Sequence, residues 1–152
     1  MGWEKGAGAL GPLAPLMGDW RTDPPTPDAN EASATPCTRS FQPFGPDWVR
    51  LEARWGEGPD AYREIALFGM DGEEVLAFHS FTNDGKRSNA RLSDGTDVHP
   101  EATAFASDFP GGAARGIYWP REDGAAGFHF AVEIRTDADW TRRITQTFGP
   151  AA

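Results

Sequence analysis

The sequence predicts an all-β protein, a single antiparallel up-and-down β-barrel of about ten strands with a short N-terminal helical turn that closes its base. The 152 residues include 18 Gly and 13 Pro, so uninterrupted helical windows are scarce and none has a sustained apolar period of 3.6. Short runs of β-branched and aromatic residues recur instead, at the spacing of roughly 8–12 residues typical of sandwiches and barrels. Closure into a barrel removes the two adhesive edges that an open sheet would leave.

Ten runs of sequence are the predicted strands, and turn residues separate them. The runs cover residues 18–22, 35–44, 47–55, 61–69, 73–82, 86–93, 102–109, 114–120, 127–135 and 140–149. The Asp-Gly pairs at 71–72 and 84–85 are typical of tight hairpins, which makes neighbouring strands antiparallel. Residues 22–34 alone have the composition of an extended, weakly structured loop. No repeat or second domain is visible, so residues 1–152 are predicted to form one domain.

Charge and cysteine content exclude several classes of function. The net charge of -9 argues against nucleic acid, which requires a basic footprint, and against an anionic membrane surface. The single cysteine, Cys37, rules out an intramolecular disulfide and fits a reducing compartment. The N-terminus lacks the basic and continuous apolar regions of a signal peptide. We therefore expect a cytoplasmic protein, a monomer or a homodimer, whose partner is a small molecule.

One motif carries a resemblance to a known superfamily. Leu-rich residues 10–17 lead into Gly18-Asp19-Trp20 at the start of the first strand, and the last strand contains Arg142 and Arg143. This arrangement resembles the G-x-W signature of the calycin superfamily, and the chain looks most like bacterial lipocalin-like domains of unknown function, related to the nitrobindin and fatty-acid-binding barrels. The resemblance implies that Trp20 plugs the barrel base with an arginine packed across it. The indole supplies apolar area and the guanidinium a cation–π contact.

Alternation assigns one face of several strands to the interior. Three strands have a clear apolar face, and the residues assigned inward are Val49, Leu51, Ala53 and Trp55; Phe128, Phe130, Val132 and Ile134; and Trp140, Arg142, Ile144, Gln146 and Phe148. In residues 60–69 and 73–82 both faces are apolar, so the inward face there stays open.

The leading functional hypothesis is non-covalent binding of a small apolar or amphipathic, possibly anionic, ligand inside the barrel, without a cofactor. Seven residues are the candidate ligand contacts: Arg142, Arg39, Arg91, Tyr62, Trp119, Phe130 and His79. Arg142 is the predicted anchor, because a buried guanidinium needs a carboxylate or an anionic ligand, and the aromatic residues are the predicted wall. The resemblance implies that a last-strand arginine holds the carboxylate of the ligand, as in fatty-acid-binding proteins. The alternative for Arg142 is that it only caps Trp20 at the base and pairs with an acidic side chain.

Three rival functions remain open. The first is an enzyme that uses Tyr62, Glu64 and His79, with Glu64 orienting the imidazole as a general base, although the sequence contains no recognised catalytic motif. The second is haem binding of the nitrobindin type through His79 or His129, although the C-terminal histidine of those barrels is missing here. The third is a filled barrel that acts through its outer surface. The dispersed histidines and Cys37 predict no metal site, and a binding protein is favoured over an enzyme.

Overall fold

The computed structural model describes residues 3–151 and confirms all ten predicted strands. The strands are β1 (Gly18–Thr22), β2 (Cys37–Phe44), β3 (Trp48–Trp55), β4 (Tyr62–Met70), β5 (Leu76–Thr82), β6 (Arg87–Ser93), β7 (Thr103–Phe109), β8 (Gly112–Pro120), β9 (Phe128–Arg135) and β10 (Trp140–Pro150). A 3₁₀ helix, Gly11–Leu16, precedes them, and one α-helical turn, α1 (Glu31–Ala34), lies inside the long loop between β1 and β2.

The strands form a closed antiparallel meander. Each strand pairs with its neighbour in the chain, and β1 closes the barrel against β10, with Trp20 opposite Pro150 and Thr22 opposite Phe148. Closure leaves no free sheet edge among the ten described strands. The predicted all-β barrel is therefore confirmed in its strand number, its pairing and its closure.

The lower half of the barrel, next to the 3₁₀ helix, is filled by apolar side chains. The large side chains at most 2% exposed there include Leu13, Leu16, Phe41, Phe68, Phe105, Phe128 and Phe148. The rings pack edge-on, tilted or stacked with centroids 5.1–6.5 Å apart, the separations that aromatic pairs prefer. The predicted inward faces of β3 and β9 are confirmed by this packing, which leaves only the opposite half of the barrel free to hold a ligand.

Trp20 closes the base as predicted, but within residues 3–151 no arginine packs across its ring. Its Nε1 donates to the carbonyl of Leu16 at 2.7 Å, and its ring meets Phe128 edge-on at 5.2 Å. The expectation that Arg142 or Arg143 packs across Trp20 is wrong, because Arg142 bonds Glu133 on the outer face of the barrel and Arg143 is exposed.

A β-bulge in β10 explains this error. Arg142 lies opposite Glu133 but Ile144 lies opposite Val132, so Arg143 is an extra residue in the ladder. An extra residue reverses the faces on one side of the bulge relative to strict alternation. Ile144 and Phe148 therefore face inward as predicted, whereas Trp140 and Arg142 face outward.

The backbone conformation at residue 18, two positions before Trp20, favours glycine. The φ of Gly18 is +123°, while an added Cβ would lie 3.8 Å from the Trp20 ring, an ordinary contact. We expect Gly18→Ala to lower the free energy of unfolding by about 1–3 kcal/mol, because this φ is disfavoured for any side chain. Gly72→Ala is the control, since Gly72 has an ordinary φ and no neighbour within 4 Å of an added Cβ. Urea unfolding measures both; equal losses would contradict the account.

Within residues 3–151, no helix has the length and apolar character needed to cross a membrane.

Candidate ligand-binding cavity

The upper half of the barrel encloses a cavity of about 800 Å³. Its mouth is bordered by α1, by the β3–β4 connection at Asp60 and by Lys86 and Arg87 where β6 begins. Side chains from β2 to β10 form its wall, chiefly Arg39, Leu51, Trp55, Glu64, Phe68, Phe78, Ser80, Phe105, Tyr118, Phe130, Val132 and Ile144. The volume lies in the range of small-molecule sites, which combine an apolar wall with few polar groups.

Arg39 is the cation of this cavity, and alternation in β2 places it there. Cys37, Arg39 and Phe41 share the inner face and are 2%, 3% and 0% exposed. Thr38 and Ser40 share the outer face, where Ser40 donates to the carboxylate of Asp19 at 2.6 Å. The strand therefore carries a guanidinium into the interior between a thiol and a phenyl ring.

Aromatic rings surround the Arg39 guanidinium. Its Cζ lies 4.3 Å from the centroid of Phe130 and 5.5 Å from those of Trp55 and Tyr118. Contacts of this kind stabilise a cation by roughly 0.5–2 kcal/mol each. The rings hold the guanidinium plane in place, but they do not neutralise its charge.

Most of the hydrogen-bonding capacity of Arg39 is unused. Its Nη2 donates to the hydroxyl of Tyr118 at 2.6 Å, whereas Nε and Nη1 are buried and have no partner among the described residues. None of the salt bridges found within residues 3–151 includes Arg39. Leaving buried donors of a charged group unpaired is costly, so these donors define the place where an anion would be stabilised.

Tyr118 adds a second donor at the same place. Burial raises the pKa of Tyr118 to about 12, so the phenol is neutral at ordinary pH. Its oxygen accepts from Arg39, and its own proton has no acceptor within the described part of the chain. Since a phenol both accepts and donates, a neutral Tyr118 can donate to an anion that also contacts Arg39.

Alkaline pH should destabilise the fold through two buried acids. Burial raises the pKa of Cys37 to about 11 and that of Tyr118 to about 12, whereas both side chains ionise at lower pH in the unfolded chain. A group whose pKa is raised by folding stabilises the protein in full at pH values below its unfolded-state pKa. That stability is lost as the pH rises through its folded-state pKa. We expect the free energy of unfolding to fall between about pH 9 and pH 12.

Urea unfolding of the wild type and of Cys37→Ala/Tyr118→Phe across this pH range measures the effect. The double variant should lose less stability between pH 8 and pH 11.5 than the wild type. Parallel pH profiles for the two proteins would show that these groups do not carry the dependence.

Glu64 and Ser80 form a second polar pair on the cavity wall. Ser80, 2% exposed, donates its hydroxyl to Oε2 of Glu64. Register places Ala53 opposite both Arg39 and Glu64, so that the two charged residues lie two strands apart. Within residues 3–151, Ser80 is the only hydrogen-bond partner of the Glu64 carboxylate, and no salt bridge includes Glu64.

Three of the seven candidate ligand contacts lie on this cavity: Arg39, Tyr62 and Phe130. Tyr62 stands at the mouth, 42% exposed. Their role as ligand contacts stays a prediction, while their predicted location inside the barrel agrees with the structure.

Arg91 and His79 are placed outside, which corrects the sequence expectation. Arg91 pairs with Asp71 and Glu73, each at 2.9 Å, on the outer surface. His79 lies opposite Leu67 on the outer face, and its Nδ1 is 2.8 Å from Oδ1 of Asn89. In β5 Phe78, Ser80 and Thr82 face the cavity, so His79 points the other way and the predicted set of Tyr62, Glu64 and His79 does not assemble.

Trp119 and Arg142 also lie outside the cavity. Trp119, with Ala104, Ile117 and Ala131, forms an outer apolar cluster that Val98 and Ala102 of the β6–β7 loop cover. The Cζ of Arg142 lies 5.2 Å from the Trp119 ring. The predicted inward position of Arg142 is therefore wrong, and the buried arginine of the interior is Arg39.

An ion cluster continues this outer layer. Arg115, whose side chain is 3% exposed, bonds Asp97 through both terminal nitrogens at 3.0 and 2.7 Å and Glu133 through Nε at 2.9 Å. Arg142 bonds the other oxygen of Glu133 at 3.0 Å, and the Trp140 ring lies 4.2 Å from the Arg115 guanidinium. These charges are satisfied by one another, in contrast to Arg39.

The histidines do not reach the cavity. His129 contacts Thr147 at 2.7 Å and Glu122 at 3.0 Å on the outer face of β9, and His99 accepts from the backbone N–H of Glu101. Haem held inside the barrel by His79 or His129 is therefore contradicted by the direction of both side chains. In the described part of the chain, no group of three or more His, Cys, Asp or Glu side chains is arranged to hold a metal ion.

Sequence reasoning missed Tyr118 and Trp55 as functional candidates. Tyr118 and Trp119 are adjacent on β8 and necessarily point to opposite faces. The outer face of β8 is as apolar as the inner face, because the β6–β7 loop buries it. Alternation alone gives no reason to prefer Tyr118, and only the pairing of β8 with β7 and β9 decides between the two residues.

The barrel is closed and antiparallel, and its base is packed. Its upper half holds an open cavity with a buried arginine whose Nε and Nη1 have no partner among the described residues. This architecture is consistent with a ligand-binding barrel. Searches with protein-family models and against curated proteins find no match for this chain.

Proposed function

We propose that this protein binds a small amphipathic anion inside the barrel, with the acidic group on Arg39 and Tyr118 and the apolar body against the aromatic wall. The observation that carries the proposal is the buried guanidinium of Arg39, whose Nε and Nη1 have no partner within residues 3–151. Arginine presents a fork of donors that suits carboxylates and phosphates. The proposal includes a lipocalin-like relationship, which rests on the G-x-W arrangement at Gly18 and Trp20.

The apolar wall supports an amphipathic ligand over a simple inorganic anion. Leu51, Phe68, Phe78 and Phe105 line the same cavity as the guanidinium, and burial of apolar area contributes about 25 cal/mol per Å². A ligand with an apolar body gains this contribution, whereas an inorganic anion leaves the wall hydrated or empty.

The mouth of the cavity carries charges of both signs. Lys86 and Arg87 border it together with Asp60, and Lys86 pairs with Asp84 at 3.8 Å. The proposed selectivity for anions therefore rests on Arg39 and Tyr118 in the interior.

Calorimetric titration with decanoate and 1-decanol tests the proposal. The two ligands have the same chain length and differ in the charge of the head group. We expect decanoate to bind with one-to-one stoichiometry and at least about tenfold more tightly than decanol, since a hydrogen bond to a charged group contributes roughly 1.5–3 kcal/mol. Equal affinities, or no binding of either ligand, would contradict the proposal.

A further inference from the structure

A carboxylate in the same cavity as the unpaired arginine constrains the ligand further. Arg39 and Glu64 face each other across β3, with Ala53 between them. Strand spacing of about 4.8 Å puts their Cα atoms roughly 10 Å apart. Neither residue takes part in any salt bridge found within residues 3–151, so no direct ion pair joins the two opposite charges of this cavity.

Glu64 is held in the cavity rather than left free to turn into solvent. Ser80 is 2% exposed and donates to Oε2 of Glu64, which fixes the carboxylate against the wall. Thr82, opposite Glu64 on β5, lines the cavity as well. The second carboxylate oxygen has no donor among the described residues.

A ligand with only an acidic group leaves this carboxylate uncompensated. Like charges in one cavity repel each other, and the half-buried Glu64 carboxylate would lose water to such a ligand without gaining a donor, which is costly. A simple fatty acid would therefore satisfy Arg39 at the expense of Glu64. A ligand that donates to Glu64 at its other end would satisfy both.

We propose that the ligand is amphoteric: an acidic group binds Arg39 and Tyr118, and a hydrogen-bond donor at the other end, best matched by a protonated amine, binds the Glu64 carboxylate. This inference rests on the proposed function, because it places the acidic group on Arg39. It adds the second recognition group and the spacing between the two, which is set by the two strands that separate Arg39 from Glu64.

The test compares 9-aminononanoate with decanoate, which have the same number of non-hydrogen atoms and differ in an ammonium against a methyl group. The readout is the ratio of their association constants, measured by calorimetry on the full chain. We expect Glu64→Gln to lower the ratio of aminononanoate to decanoate affinity at least about tenfold, because it removes the charge but keeps an acceptor for Ser80. Decanoate should bind this variant as tightly as the wild type, or more tightly.

The outcomes separate the two proposals. If decanoate binds the wild type and aminononanoate does not, or if Glu64→Gln leaves the ratio unchanged, the amphoteric ligand is ruled out while the anion site stands. If neither compound binds the wild type, the anion site fails as well. Glu52→Gln is the matched control, since it makes the same change of side chain on the outer face of β3, and the ratio should stay within about twofold of the wild type.

Discussion

Arg39→Met should abolish the preference for anions without weakening the fold. We expect the affinity for decanoate to fall about 100-fold, to that of 1-decanol, because truncating one partner of a buried charged hydrogen bond costs about 2–5 kcal/mol. The free energy of unfolding should stay constant or rise, since the variant removes a guanidinium whose Nε and Nη1 lack partners and fills its place with an apolar side chain of similar length.

Arg39→Lys is the control for this substitution. It keeps the positive charge but loses the fork of donors, so its decanoate affinity should lie between those of the wild type and Arg39→Met. Calorimetry and urea unfolding measure the two effects separately. A methionine variant that binds decanoate normally, or one that loses several kcal/mol of stability, would show that Arg39 is structural.

The second large effect is expected at Glu133, outside the cavity. Glu133→Ala should lower the free energy of unfolding by about 2–3 kcal/mol, because it removes a carboxylate that is 6% exposed and bonds the buried guanidinium of Arg115, which keeps only Asp97 as its partner. Ligand affinity should not change, since the cluster lies on the outer face. Urea unfolding and a decanoate titration of the same variant measure both.

Two comparisons make the Glu133 prediction specific. Arg142→Gln should cost about 1 kcal/mol or less, because the Arg142 side chain is 39% exposed and Glu133 keeps Arg115 as its partner. The double variant Arg115→Met/Glu133→Leu should recover much of the loss, as apolar side chains replace an entire buried pair. A double variant as unstable as Glu133→Ala would contradict this account of the loss.

The strands were predictable because local turn chemistry and β-propensity mark them independently of the rest of the chain. The two Asp-Gly turns nevertheless differ in backbone conformation. Gly85 has φ +88° in the β5–β6 turn, as an Asp-Gly pair suggests. In the β4–β5 turn, Glu74 rather than Gly72 has the positive φ, at 62°, and Asp71 accepts from the N–H groups of Glu73 and Val75. An Asp-Gly pair thus marks the position of a turn more surely than its type.

The direction of individual side chains was only partly predictable, for two physical reasons. Alternation holds until a bulge interrupts it, and the extra residue Arg143 moved Arg142 from the predicted interior to the outer face. Alternation also assumes that the outer face meets water, yet the β6–β7 loop buries Trp119 there. The burial of Arg39 follows from the alternation of β2, but its contact with Tyr118 joins residues 79 positions apart and depends on how the barrel closes.

The most direct test of the central claim is to observe the Arg39 guanidinium during ligand addition. In a ¹⁵N-labelled sample, the Nε–Hε resonance missing from the spectrum of Arg39→Met identifies Arg39. We expect this resonance to move downfield and to saturate at one equivalent of decanoate, since a carboxylate would accept from an N–H group that has no acceptor in the described structure. An unmoved Arg39 resonance in a protein saturated with decanoate would place the ligand elsewhere and contradict the account.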